Sequence, residues 1–317
     1  MKKFIFKTIL FLLFTIIIDS LFGILCEKLA NSSKGGDTAK YHYIAEECND
    51  EILIMGSSRC SHHYIPSMFL DSLNSSCYNC GIDGNGIITM YGLLNVILEY
   101  NTPDIIVYDI THSFDLQKND NIKYLGKLKR FYNNKEIKTI FEKIDKKETY
   151  KMFSSMYQYN STLLQLIADN ISPQQDNNNG YKALHGCIDY EPKYNDVKTI
   201  KYDPQKLDFI EQFILKCNGK TQLIFTISPY YFPPNDDIYE PVRKLCHKHN
   251  IPLLEHHNNT LFVKQKKYFK DSVHLNHEGA ELYTRIIIQQ IFDLLSAKYT
   301  DKLWQARLLP TTNVHIE

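Results

Sequence analysis

Apolar runs of strand length alternate along the chain with segments whose apolar residues recur at helical spacing. The strand-like runs lie at 51–55, at the start of 75–87, and at 102–110, 222–228 and 251–255. The helical segments lie at 88–100, 204–218, 239–250 and 276–297, the last with a capping signal at Asn276. Because strands that alternate with helices form parallel βαβ units, we expect an α/β fold, a flavodoxin-like three-layer sandwich with a central parallel sheet.

The alternation is interrupted between 112 and 200, where Lys, Tyr and Asn are abundant and the periodicity is helical. We interpret this stretch as a mostly helical insertion within an α/β domain at 48–297. The remaining residues, 298–317, show no clear pattern and are interpreted as a C-terminal tail.

The N-terminal residues form a separate apolar segment. Three lysines precede an apolar stretch at 8–25, which is long enough to cross a bilayer as a helix although Asp19 interrupts it. Since the candidate cleavage sites are poor, we expect an uncleaved signal anchor at 1–30, which is one N-terminal membrane helix, followed by a linker at 31–47. A cleaved signal and a buried helix of a soluble protein are the alternatives. The position of the lysines predicts a cytoplasmic N-terminus and a domain on the other side of the membrane.

Composition and charge narrow the classes of function. Of the 317 residues, 44% are hydrophobic and 23% are charged, which is typical of a folded protein. The 36 basic and 36 acidic side chains cancel, so no global charge attracts nucleic acid, and no nucleic-acid partner is expected. Seven of the eight cysteines lie beyond the predicted anchor at 1–30, and an odd number leaves at least one thiol free.

Candidate chemistry lies in the loops that follow the predicted strands, because ligand sites in open parallel sheets are found at the carboxyl ends of strands. The first strand leads into Gly-Ser-Ser, which places Ser57 and Ser58 at a corner where Ser58 can also cap the next helix. Near the C-terminus, Asp271 precedes His274 by three residues, so its carboxylate can orient the imidazole and leave one ring nitrogen as a base. Neither pattern is specific alone, but together they are typical of a serine nucleophile with its base.

These residues resemble the conserved blocks of the SGNH, or GDSL-type, hydrolases. "MGSS" is similar to the first block with Ser58 as nucleophile, "YNCGIDG" to the second with Gly84 as an oxyanion donor, and "DSVHLNHEGA" to the last. More narrowly, the chain resembles a group of membrane-anchored bacterial SGNH-like proteins. The third block departs from the family, because Thr111 and Ser113 stand near the expected Gly and Asn.

The resemblance implies a role for each residue. Ser58 attacks an acyl ester, His274 transfers the proton and Asp271 orients His274. The backbone N–H groups of Ser58 and Gly84 bind the oxyanion, and a third donor comes from Ser113, His112 or Asn85. Arg59, next to the nucleophile, either pairs with a nearby acid or positions a substrate carboxylate. We expect no metal or organic cofactor for this chemistry.

The resemblance and the predicted anchor together suggest a substrate and a location. We expect an esterase of the bacterial inner membrane that crosses once, holds its domain outside the cytoplasm and acts on acyl esters, above all acetyl esters, of cell-envelope glycans. One alternative is an O-acyltransferase that modifies surface polysaccharide with a membrane-bound O-acyltransferase as donor partner. The other is a non-catalytic SGNH-like protein that binds envelope glycans.

Overall fold

A computed structural model describes residues 1–176, 178–193 and 197–298. The strands of the sheet are β1 (Ile52–Gly56), β2 (Cys77–Asn79), β3 (Ile105–Asp109), β4 (Gln222–Ile227) and β5 (Leu253–Glu255). The α-helices are α1 (Lys2–Ser32), α2 (Gly36–His42), α3 (Ser58–His63), α4 (Pro66–Leu73), α5 (Ile87–Ile97), α6 (Lys135–Ile144), α7 (Lys146–Lys151), α8 (Ser155–Tyr159), α9 (Leu163–Ile171), α10 (Pro204–Cys217), α11 (Glu240–His249) and α12 (His277–Lys298). Shorter helical turns lie at Tyr43–Glu47, His112–Leu116, Ile122–Leu125, Lys129–Phe131, Asp236–Tyr239 and Lys266–Tyr268.

The five strands form one parallel sheet in the order β2-β1-β3-β4-β5. This is the doubly wound order of flavodoxin, so the predicted α/β fold with a central parallel sheet is confirmed. Every residue of β1 and β3 is buried, as parallel strands covered on both faces require.

Helices cover the two faces of the sheet. On one face, Ile54, Val107 and Ile224 belong to a core cluster with α12, whose Ile287 and Ile291 are fully buried. On the other face, the ring of Tyr108 packs edge-to-face against Phe213 of α10, with ring centres 5.1 Å apart. Asn276 caps α12 as predicted, because its side chain accepts a hydrogen bond from the Gly279 N–H at 2.9 Å.

The chain divides into two compact units. The helical unit contains Met1–Cys48, Gly92–Tyr100 and Asp120–Asp176, and the sheet unit contains Asn49–Tyr91, Asn101–Asn119 and the described residues from 178 onwards. The first unit holds α1, α2 and α6 to α9; the second holds the sheet and the loops at its carboxyl edge. The helical unit therefore contains the N-terminal residues together with α6 to α9, which lie in the stretch that the sequence predicts as an insertion.

One segment differs from the sequence prediction, and another lies mostly outside the described residues. The stretch 31–47, which we expect to be a linker, contains α2 and a helical turn, and Ile44 and Ala45 are buried there. The N–H of Thr38 donates to the Asp169 carboxylate at 2.9 Å, so α2 is held against α9. Nearly all of the predicted tail lies outside the described residues, from 299 to 317.

Candidate active site

The corner after β1 presents one of two adjacent serines to solvent. Gly56 ends the strand at φ +150°, and a Cβ there would lie 2.8 Å from the carbonyl oxygen of Asp109, so the position requires glycine. Ser57 is buried, and its hydroxyl lies 2.8 Å from the hydroxyl of Thr111. Ser58, the first residue of α3, is only partly buried. The fold therefore gives the two serines different surroundings, and Ser58 is the one that a substrate can reach.

Ser58, His274 and Asp271 form a chain of hydrogen bonds. The Nε2 atom of His274 lies 2.9 Å from the hydroxyl oxygen of Ser58, and its Nδ1 atom lies 2.9 Å from Oδ2 of Asp271. An ionised carboxylate can only accept, so Nδ1 carries the proton and Nε2 is the acceptor that faces the serine hydroxyl. The structure thus brings together the three side chains that the sequence predicts as nucleophile, base and orienting acid.

The loop that carries Asp271 holds its carboxylate in place. Oδ1 of Asp271 also accepts hydrogen bonds from the backbone N–H groups of Val273 and His274, each at 2.9 Å. Burial alone raises the pKa of Asp271, but the hydrogen bond and charge of His274 and these backbone donors outweigh it and lower the pKa to about 2. Asp271 is therefore ionised at neutral pH, as an orienting acid must be.

A cavity of about 320 Å³ opens beside Ser58 and His274. Its polar wall includes Arg59, Thr111, His112, Ser113, Lys193 and Ser272. Its apolar wall includes Phe114, Val197, Tyr230, Phe232, Pro234 and Val273. Burial, and then the charge of Arg59, lowers the pKa of His112 to about 4, so this ring is neutral at physiological pH. A cavity of this size with both kinds of wall suits a small organic ligand.

A second polar cluster, which sequence reasoning missed, lies buried under the site. Ser228 follows β4, and both its N–H and its hydroxyl donate to the Asp109 carboxylate, at 2.9 and 2.8 Å. The hydroxyl oxygen in turn accepts from Nη2 of Arg59 at 2.7 Å and from Nδ1 of His63 at 3.0 Å. The hydroxyl of Ser228 therefore uses its one proton and both its lone pairs.

His63 connects this cluster to the loop that carries Asp271 and His274. Its Nε2 atom accepts the N–H of Leu275, the residue after His274, at 3.0 Å. Burial, and then the Arg59 charge, lowers the pKa of His63 well below its usual value, so the ring is neutral and its proton is on Nδ1. His63 thus fixes the backbone beside His274 rather than acting as a base. The only signal in the sequence is that His63 lies five residues after Ser58, which does not reveal a partner on a distant strand.

Arg59 is buried at the junction of the cavity and this cluster. Its side chain is 2% exposed, and the guanidinium carbon lies 3.3 Å from the centre of the Tyr230 ring. Besides Ser228, it donates to the carbonyl of Pro229 at 3.1 Å. These contacts favour the expectation that Arg59 serves a nearby acid, Asp109, through Ser228, and a contact with substrate stays a prediction.

The predicted oxyanion donors other than Ser58 occupy different places. Ser113 lies in the cavity wall. Gly84 is exposed at φ +71°, and the Asn85 side chain bonds locally, donating to the Asp83 carbonyl and accepting from the hydroxyl of Thr89 in α5. Among the described residues that line the cavity, neither Gly84 nor Asn85 is found. Their roles stay predictions, and the positions favour Ser113 or His112 over Asn85 as the additional donor.

A buried acid shapes the loop that follows β3. Asp115 accepts hydrogen bonds from the N–H of Thr111 at 2.6 Å, the N–H of Ile87 at 2.7 Å and the Tyr108 hydroxyl at 2.9 Å. Burial raises the pKa of Asp115 to about 6 despite these donors. Asp115 therefore ties the loop after β3 to the start of α5, and this holds Ser113 at the cavity.

One set of side chains in the described residues has the spacing of a metal site. Ligand atoms of Asp236, Glu255 and His257 lie within 4.8 Å of one another. Arg243 already donates to both carboxylates, to Asp236 at 2.8 Å and to Glu255 at 2.9 Å. The guanidinium supplies the positive charge that a cation would bring, so we interpret the cluster as an ion-pair network.

Several solved structures are similar to this chain at low sequence identity. No protein-family model and no curated protein matches the chain. A gut microbial diltiazem-metabolizing enzyme is similar over 76% of this chain, with a TM-score of 0.39 and 11% identity, and the chain spans 46% of that enzyme's length. The lipase/acylhydrolase from Enterococcus faecalis is similar over 83% of this chain and 100% of its own, with a TM-score of 0.36 and 12% identity. Because these values are low, we base the assignment of an activity on the geometry of the site.

Proposed function

We propose that the protein is a serine esterase of the SGNH type that cleaves acyl esters of cell-envelope glycans. The observation that supports the proposal most is the hydrogen-bonded chain from Ser58 through His274 to Asp271. Nε2 of His274 lies 2.9 Å from Oγ of Ser58, and Nδ1 of His274 lies 2.9 Å from Oδ2 of Asp271. A serine hydroxyl is a weak nucleophile alone and needs such a base within hydrogen-bonding reach.

The proposed reaction has two steps. Ser58 Oγ attacks the ester carbonyl while His274 Nε2 takes the hydroxyl proton, and the imidazolium is stabilised by ionised Asp271. The tetrahedral oxyanion is met by the N–H of Ser58, which as the first group of α3 has no partner within the helix, and by Gly84 and Ser113 or His112. His274 then protonates the leaving alkoxide. Water, activated by His274 in the same way, releases the acid and restores Ser58.

The glycan part of the proposal comes from the anchor and the cavity. Helix α1 is long and apolar enough to cross a membrane once, and we propose that it anchors the protein in a bacterial inner membrane with the catalytic residues outside the cytoplasm. A cavity whose wall includes Lys193, Ser113 and the Phe232 ring offers donors and an aromatic surface to a sugar. If a sugar hydroxyl replaces water as acceptor, the same residues catalyse acyl transfer.

Labelling by a fluorophosphonate probe tests the proposal. We expect the detergent-solubilised full-length protein to be modified on Ser58, and we expect Ser58→Ala and His274→Ala to suppress labelling. Ser272→Ala is the matched control, because Ser272 lies in the same cavity wall but outside the hydrogen-bonded chain. Absence of labelling in the folded wild type would overturn the esterase and favour the glycan-binding alternative.

A further inference from the structure

The exposed part of α1 is followed directly by a part that packs on the helical unit. The large apolar side chains from Phe4 to Ile18 are each at least 41% exposed. At Asp19 the contacts begin. Its carboxylate accepts hydrogen bonds from the Ser154 hydroxyl at 2.8 Å and from the N–H groups of Ser155 and Met156 at 2.7 and 2.9 Å. Asp19 therefore binds the beginning of α8.

Gly23, one turn further along α1, fixes the same contact. A Cβ at Gly23 would lie 2.6 Å from the Ser155 hydroxyl oxygen, so the beginning of α8 approaches the α1 backbone more closely than any larger residue allows. The corner between α7 and α8 is thus held at the level of Asp19 to Gly23 along the α1 axis.

The length of the exposed segment places that level at a membrane boundary. Phe4 to Ile18 is fifteen residues, which span about 22 Å as a helix. The hydrocarbon core of a bilayer is about 30 Å thick and needs about 20 residues. Counted from Phe4, those residues end near Gly23. A membrane that α1 crosses therefore reaches the level at which the α7–α8 corner lies.

The side chains of this corner suit the interface between lipid and water. Phe153 is 88% exposed and Tyr150 is 71% exposed, although both are aromatic. Tyr is enriched where the acyl chains meet the headgroups, and Phe is typical of the lipid-facing side of interfacial segments. Lys146 and Lys147 of α7 are also exposed, and their charges complement anionic headgroups.

We propose that the α7–α8 corner inserts Phe153 and Tyr150 into the outer surface of the bilayer that α1 crosses. The occupant of this apolar surface is lipid, because the corner is bound to α1 at Asp19, directly after the exposed apolar segment Phe4 to Ile18. The hydrogen bonds from Ser154, Ser155 and Met156 then satisfy the Asp19 carboxylate at the membrane boundary. The proposal rests on the membrane anchoring by α1 proposed above.

Quenching of tryptophan fluorescence by brominated lipid tests the proposal. The full-length protein with its single tryptophan removed (W304F) is placed, one copy per disc, in nanodiscs of phosphatidylcholine and phosphatidylglycerol. A new tryptophan is introduced as F153W, as F14W within the exposed segment, or as Y41W. Tyr41 lines a hollow with Ala30, which lies about 16 Å beyond Asp19 along the helix axis.

We expect F153W to lose fluorescence with bromine near the headgroup end of the acyl chains and to lose less with bromine near their terminal methyl groups. F14W is quenched by bromine in the acyl chains, and Y41W is unaffected. Quenching at 14 but not at 153 would overturn the insertion of the corner and leave the anchoring intact. Quenching at neither position would overturn both proposals.

Discussion

Asp271, His274 and Ser58 are partly exposed at the carboxyl edge of the sheet, whereas Asp109, His63 and Ser228 combine the same residue types in a buried cluster under them. We call the first set the solvent-facing trio and the second the buried trio. The side chain of His274 is 21% exposed, and that of Asp271 is 40% exposed. Each residue of the buried trio is fully buried.

The two trios differ in the direction of their hydrogen bonds. In the solvent-facing trio, the histidine donates to the aspartate and accepts the serine proton. In the buried trio, His63 accepts a backbone N–H and donates to Ser228, while the Ser228 proton goes to Asp109. His63 therefore has no free lone pair for a serine proton, so residue types alone do not define a catalytic site.

The largest expected difference between the trios is in the loss of turnover when each histidine is replaced. We expect His274→Ala to lower kcat/KM for an activated ester by about 10²–10⁴-fold, because the general base is lost. His63→Ala leaves the Leu275 N–H without its acceptor and removes one donor to the Ser228 hydroxyl, so we expect it to cost about 1–3 kcal/mol of stability and to reduce turnover less. Steady-state kinetics of both variants measures the loss of turnover, and urea unfolding measures the loss of stability. Equal losses of turnover in two stably folded variants would contradict the assignment.

Replacement of the aspartate in each trio is expected to differ most in its effect on the free energy of unfolding. Asp109→Ala leaves Arg59 buried without its acid, which typically costs about 3–5 kcal/mol of unfolding free energy. Asp271→Ala removes a partly exposed hydrogen bond to the neutral His274 ring, worth about 1 kcal/mol. Urea unfolding at neutral pH compares the two. Greater destabilisation by Asp271→Ala would show that the buried trio is not the structural one.

The smallest expected effect is on the acid dependence of stability. The pKa of Asp271 is lowered to about 2, so its contribution is present above its unfolded pKa of 3.8 and is lost as pH falls through 2. Because Asp271 is partly exposed, we discount this contribution to about 1 kcal/mol. We expect wild type to lose that amount relative to Asp271→Asn between pH 5 and pH 2, in urea unfolding at steps of pH. Parallel curves for the two proteins would contradict the ion pair.

Much of the sheet unit was predictable from sequence, because its signals are local. Buried parallel strands give short apolar runs, and the covering helices give clear periodicity, so the five strands and α10 to α12 follow from the pattern. Ser58, Asp271 and His274 were predictable because the acid and the base lie in one turn and the serine follows a strand.

The contacts between distant segments were not predictable. Ser228 meets Arg59 and His63 only because β4 lies beside β3 in the sheet. In the helical unit, α2 is short and mostly polar, so its sequence indicates a linker. The helix is stabilised by contacts with distant residues, such as that of Thr38 with Asp169. Asp19 interrupts an apolar segment in the sequence, and its donors are more than a hundred residues away.

The most direct test compares the two serines. The turnover of p-nitrophenyl acetate by the solubilised full-length protein is measured for wild type, Ser58→Ala and Ser228→Ala. We expect Ser58→Ala to fall to the background rate, whereas Ser228→Ala keeps turnover wherever it remains folded. Turnover by Ser58→Ala at the wild-type rate would contradict the account, because Ser58 would then not be the nucleophile.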